Sequence, residues 1–192
     1  MNCSEQGMAD VSDKELVEKI ADHFKGILSD LSLIDKVERC TPDRAARALI
    51  DILSGYKTKV GHSAIKIEKP HQIVVIRNIN FGSLCEHHLL PFTGQVSIAY
   101  IPSDHLIGVS KLIRIVNVYS RRLQLQEKLS IEIGEAINGM INPLAVGVCI
   151  RAMHTCVSLR GVRSTNSEME TTYTAGLFKE QPMRFDFLNA IK

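Results

Sequence analysis

The sequence predicts an α+β fold: an antiparallel four-stranded sheet with two helices between its hairpins, preceded by N-terminal helices. Three observations carry this expectation. Apolar residues recur at helical spacing through Leu16, Ile20, Phe24, Ile27, Leu28 and Leu31. From Ile73 the apolar period changes to two. Beyond Pro102 the helical period returns for two stretches before alternation resumes at Val146.

Residues 1–11 carry no periodic signal and are expected to be disordered. Ser12-Asp-Lys-Glu15 reads as a capping box that opens a helical region over 12–56. Thr41 is expected to N-cap a second helix, with Pro42 in its first turn and Ala45, Ala46, Leu49, Ile50 and Leu53 on its buried face. Gly55 fits its C-cap. Residues 57–72 form a polar, lysine-bearing connector to the main domain, 73–192. There, Ile73–Phe81 and Gly94–Ile101 are the first two strands, with Gly94 placed at the chain reversal so that they pair around the intervening turn. Ser110 caps a helix over Lys111 to about Arg122. The next helix has Leu125, Leu129, Ile133, Ala136, Ile137 and Met140 as its stripe, and Asn142-Pro143 ends it. A third strand covers Val146–Leu159, and its alternation puts Val148, Ile150, Ala152, His154, Cys156, Ser158 and Arg160 on one face. Met169–Phe178 is the fourth strand, and Phe185–Ile191 a short closing helix.

Composition narrows the function classes. A chain of 192 residues forms one domain with a real core, or one domain plus an appendage. Its 45% apolar and 23% charged residues are ordinary for a globular protein. No apolar run approaches the ~18 residues of a membrane span, so no membrane association is expected. A formal charge of +2 gives no basis for nucleic-acid binding. The N-terminus lacks the basic and apolar parts of a signal peptide, so a cytoplasmic location is expected. The five cysteines are then expected as thiols, with Cys40 and Cys149 as small buried residues.

The chemistry concentrates in Cys85-Glu86-His87-His88. One helical turn puts Cys85 and His88 on one face, and Pro91 stops any continuation. Two such ligands are half a zinc site, and His154-Thr155-Cys156 is the obvious source of more. Three protein ligands plus water make a catalytic site; four make a closed, structural one. Spacing alone leaves His87 and His154 open as a fourth ligand, and a closed site of Cys85, His88, His154 and Cys156 is the alternative.

In order and spacing, Cys85-Glu-His-His-Leu-Leu-Pro-Phe92, Ile107–Val116, Arg121-Arg-Leu-Gln-Leu-Gln-Glu127 and His154-Thr-Cys-Val-Ser-Leu-Arg-Gly161 resemble GTP cyclohydrolase I. The weaker Thr41–Arg44 and Ser54–Tyr56 extend the resemblance towards the N-terminus, while the connector 57–72 departs from the longer, more acidic segment usual there. The resemblance implies the tunnelling fold, in which sheets from several subunits join into an oligomeric β-barrel. It also implies a homodecamer of two face-to-face pentamers with sites shared between subunits. The implied reaction is zinc-dependent: water adds to C8 of GTP, the imidazole ring opens, formate leaves, and the ribose rearranges to give 7,8-dihydroneopterin triphosphate. That is the first step of folate and tetrahydropterin synthesis.

The resemblance assigns zinc to Cys85, His88 and Cys156, and leaves His87 and His154 as proton carriers, His87 at N7 and His154 near the ribose. Gln126 and Glu127 hold the guanine, with Glu86 near the base. A substrate of about four negative charges needs cations. Ser110, Lys111 and Arg114 at a helix start, with Arg160, Arg44 and Arg47, are the expected phosphate contacts. Arg160 is expected ~13 Å along the strand from Cys156. Two rivals remain at this level: another tunnelling-fold enzyme acting on a pterin or deazapurine, and a non-catalytic protein with a structural zinc site.

Overall fold

The computed structural model describes residues 11–61, 64–67 and 72–192, so the disorder expected over 1–11 lies outside them except at Val11, which opens a helix. The described chain divides into two compact units, one ending at Leu53 and one running from Ser54 to Lys192. In the first, α1 (Val11–Asp30) and α2 (Thr41–Ile52) bury Val17, Ala21 and Ala46, with Ile20, Phe24 and Ile50 packed around them. The later stripe residues Ile27 and Leu31 are exposed. Thr41 is the first residue of α2 and Cys40 holds the N-cap position, without a side-chain cap. Leu53, not Gly55, closes the helix. Gly55 instead lies buried in a 3-10 turn, Ser54–Tyr56, of the second unit, where its N–H donates to Arg121 O at 2.9 Å. A Cβ at Gly55 would collide with the Val118 carbonyl, which explains the glycine.

The elements of the second unit are, in order, β1 (Ile65–Lys66), β2 (Val74–Cys85), β3 (Pro91–Ile101), β4 (His105–Leu106), α3 (Val109–Ser120), β5 (Leu123–Gln124), α4 (Gln126–Ile141), β6 (Ala145–His154), α5 (Thr155–Ser158), β7 (Met169–Gly176) and α6 (Met183–Ala190). The main sheet has five strands in the order β5-β2-β3-β6-β7, where four were expected. The addition is β5, which runs parallel to β2 through Leu84↔Leu123 and Cys85↔Gln124. Two residues between helices carry too little alternation to be read as a strand. A separate pair, β1 with β4, lies outside this sheet.

Three further expectations are corrected. Gly94 is not at the reversal but inside β3, opposite Phe81. Both strands run further, to Cys85 and from Pro91, and a Cβ on Gly94 would overlap the Arg151 carbonyl of β6. Ser110 does not cap α3; Gly108 holds that position and Ser110 lies in the first turn. The third strand stops at His154, and Thr155–Ser158 forms a helical turn. Thr155 Oγ1 donates to Pro91 O at 2.5 Å and Leu159 N–H to Thr155 O at 3.0 Å, which turns the chain off the sheet. Cys156, Ser158 and Arg160 therefore do not continue the strand face of His154.

Alternation then sorts the core. Val96, Ile98 and Tyr100 of β3 and Val146, Val148 and Ile150 of β6 meet Leu112, Ile115, Leu129, Ile133 and Ile137 of α3 and α4. Each such buried side chain contributes about 1.5–3 kcal/mol. The opposite face, with Ala99, Ile101, Ala145 and Cys149, is covered by Phe178, Phe187 and Ile191. The Arg77 guanidinium donates to Ala190 O at 2.6 Å and fastens the end of α6. Burial on both faces gives β6 its unbroken run of buried residues from Ala145 to Ile150.

Candidate active site

Cys85 is the last residue of β2, and a tight turn follows it. Leu90 O accepts from Cys85 N–H at 2.9 Å, while Cys85 O accepts from Leu89 N–H at 2.8 Å and His88 N–H at 3.3 Å. Leu89 takes the left-handed conformation, φ 54°, that reverses the chain into β3. This winding brings His88 Nδ1 to 4.0 Å from Cys85 Sγ. The third member comes from α5, where the Thr155–Pro91 bond docks the turn against β3 and presents Cys156. One ligand atom each of Cys85, His88 and Cys156 lie within 4.8 Å of one another. His87 and His154 are not members of this cluster.

The donor set suits a soft-to-borderline dication. Zinc holds thiolates at about 2.3 Å and imidazole nitrogen at about 2.0–2.1 Å. Donors this close to one another need only a small closure to share one ion. Burial, and then the neighbouring Cys85, push the Cys156 thiol up, against a weaker pull from Arg160. Two thiols this near resist ionising together unless a cation joins them. Cys85 is buried, Cys156 half-buried and His88 exposed, so the cluster opens to solvent on the His88 side.

His154 stands at the end of β6, stacked on Phe92 with ring centroids 4.6 Å apart and planes 4° from parallel. Its Nε2 lies 2.8 Å from Gln126 Oε1. Burial lowers its pKa, with the Glu127 charge acting the other way. Gln126 opens α4 fully buried, and its amide donates to Ile150 O at 3.0 Å and Met169 O at 2.8 Å. Beside it, Glu127 is exposed in the first turn of α4. Glu86 is also exposed and lies 3.9 Å from Lys128 Nζ, while its N–H donates to Gln124 O at 3.1 Å. His87 is exposed, edge-on to His88 at 6.0 Å between centroids.

The phosphate candidates fall elsewhere. Lys111 and Arg114 line a cavity of about 300 Å³ together with Thr58, Lys59, Asn117 and Arg121. Lys111 Nζ donates to Gly61 O at 2.6 Å, so the connector reaches this cavity. None of Cys85, His88 and Cys156 lines it. Ser110 is exposed nearby in sequence but does not line it either. Arg160 is exposed just beyond α5, close enough to Cys156 to influence its thiol. Arg44 pairs with Glu38 at 3.0 Å in the first unit, and Arg47 is exposed there. Sequence reasoning passed over Lys59 and Arg121, which the lysine-bearing connector and the Arg121-Arg122 pair signalled only as charge. It passed over Phe92 too, although that residue ends the quoted Cys85–Phe92 motif.

The family model described as GTP cyclohydrolase I matches residues 20–192. GTP cyclohydrolase 1 of Rickettsia prowazekii (strain Madrid E) is 46% identical over 160 residues, covering 79% of this chain and 82% of the relative. GTP cyclohydrolase 1 of Synechococcus sp. (strain JA-2-3B'a(2-13)) is 41% identical over 192 residues, covering 98% of this chain and 83% of the relative. The crystal structure of the archaeosine synthase QueF-Like in the apo form aligns over 56% of this chain and 97% of its own, at 21% identity and a TM-score of 0.48.

Proposed function

The chain belongs to the GTP cyclohydrolase I family, and from that premise we propose a zinc-dependent reaction in which Cys85, His88 and Cys156 hold the metal. The chain is a hydrolase acting on GTP, with the α+β tunnelling fold of its family. Its products are formate and 7,8-dihydroneopterin triphosphate. The cytoplasm is its expected compartment, and the first step of folate and tetrahydropterin synthesis its expected place. Among the described residues no helix is long and apolar enough to cross a membrane.

The observation that carries this reading is a three-donor cluster, open to solvent, with a half-buried histidine nearby that is not part of it. Zinc bound at such a cluster supplies water activated near pH 7 for attack on C8. The protein's own groups do the rest. His87, exposed beside His88, is placed to hold a proton at N7. His154, whose pKa burial lowers, is placed to take and return protons in the later ribose steps. The Glu127 carboxylate accepts from guanine N1–H and the 2-amino group, and Glu86 borders the base. Lys111 and Arg114 neutralise the triphosphate, with Arg160, Arg44, Arg47 and Ser110 as further contacts. A closed four-ligand site would need His154, which does not fall within the cluster of Cys85, His88 and Cys156.

The separation of the cation cavity from the thiol cluster within one chain supports a site shared between copies, as in a homodecamer. The test is GTP turnover followed by the fluorescence of the oxidised neopterin product, with metal analysis alongside. The expected result is about one zinc per chain and formate released in step with product. Zinc-loaded, assembled protein that releases no formate would refute the reading.

A further inference from the structure

We propose that Gln126 is a positioning residue that fixes the tautomer of His154, keeping the hydrogen on Nε2 and the lone pair on Nδ1. The catalytic consequence rests on the reaction proposed above; the tautomer does not. A glutamine amide has two N–H donors and one carbonyl acceptor. Both donors of Gln126 are used, on Ile150 O at 3.0 Å and Met169 O at 2.8 Å. Exchanging the amide's nitrogen and oxygen would set its carbonyl against two other carbonyls. With 1% of the residue exposed, water could not relieve that clash. The amide therefore has one orientation, and Oε1 is the atom 2.8 Å from His154 Nε2. Since Oε1 only accepts, Nε2 must donate, and the neutral ring then has its lone pair on Nδ1.

The arrangement is rigid. Gln126 is the first residue of α4, its two carbonyl partners sit on β6 and β7, and His154 is the last residue of β6. The hydrogen bond decides which edge of the ring faces Gln126, and the Phe92 stack fixes the ring plane. Every polar group of the amide thus has a protein partner and both of its donors are spent, so Gln126 can donate no hydrogen bond to guanine. Base contact falls to its neighbour Glu127.

Side-chain ¹⁵N NMR of the zinc-loaded protein tests this directly. His154 would be assigned among the seven histidines by the signal missing from His154→Asn. Neutral His154 should carry its hydrogen on Nε2 in the parent and show mixed tautomers in Gln126→Leu. Kinetically, Gln126→Leu should lower kcat about 10- to 100-fold, with KM for GTP within about threefold. A hydrogen on Nδ1 in the parent overturns the proposal, and so does an unchanged tautomer in the variant. A raised KM with kcat retained overturns it as well, because Gln126 would then hold the base. If Gln126→Leu does not fold, the parent spectrum decides. If the parent turns over no GTP, the proposed reaction fails and the spectrum still decides the tautomer.

Discussion

Cys156 depends on its neighbours for its chemistry. Removing either thiol leaves too few donors for tight zinc binding. Cys85→Ala and Cys156→Ala should each lose zinc by elemental analysis and formate release with it, while GTP still binds. His154→Ala, outside the cluster, should keep its zinc and slow by about 10²- to 10⁴-fold, as for a lost proton carrier. Glu127→Ala should lose GTP affinity with zinc content and fold intact, since guanine would lose the acceptor for two donors; unchanged GTP binding by calorimetry would hand the role to Glu86. Cys149 behaves oppositely. Cys149 is buried against Phe187, and burial pushes its thiol up to about 11. At pH 8 only about one molecule in a thousand carries the thiolate, so Cys149 should resist thiol reagents until the protein unfolds. A raised pKa stabilises the fold fully below the ordinary thiol range, and that contribution is lost as pH climbs towards 11. Unfolding midpoints taken from pH 8 upward should fall, and fall less in Cys149→Ala. Residue types were legible at this scale, but their partners were not. Nothing in the spacing of Gln126 and His154 says that they meet.

Among the elements, β3 sets the position of the cation-bearing helix. The Tyr100 hydroxyl accepts from Ile107 N–H at 3.1 Å and donates to Ile107 O at 3.4 Å, which pins the chain just ahead of α3 and Lys111. Tyr100→Phe would leave both backbone groups of the buried Ile107 unpaired, at a cost of about 1–3 kcal/mol. Urea unfolding measures that loss, and amide exchange at Ile107 should accelerate. A stable variant with a still-protected Ile107 would show that another group holds this segment. The long helices and paired strands were legible because their periods persist over many residues. The errors lie where a contact across the sheet decides. Apolar alternation runs on past His154, yet the Thr155–Pro91 hydrogen bond ends the strand there. Gly94 resembles turn chemistry locally, but the approach of β6 is what requires it.

At the scale of the molecule, both faces of the sheet are covered, while among the described residues each edge strand pairs on one side only. Among the described residues the eight-residue β7 pairs with β6 alone, and β5 at the other edge has only two residues. A strand with one unpaired side is a template for another strand. Native mass spectrometry should find ten chains, and dilution or mutation that releases single chains should abolish turnover; an active monomer would refute the shared site. One chain's periodicity carries no information about its neighbours, so the expectation of a decamer comes from the family resemblance alone.

The stop at His154 also determines where this chain tolerates changes of length. Ten register pairs with β3 and eight with β7 fix β6, and the Thr155 bond fixes the turn that presents Cys156. Deleting or inserting one residue within Ala145–Cys156 would exchange the two faces of the strand or rotate the thiol out of the cluster. Point substitutions there cost packing, whereas a one-residue indel would cost the site. Among the described residues of segment 57–72 there is no such ladder beyond the two pairs of β1. Lengthening this segment should leave the cluster intact, because no register of the main sheet runs through its described residues, which makes it the natural place for an inserted tag or reporter.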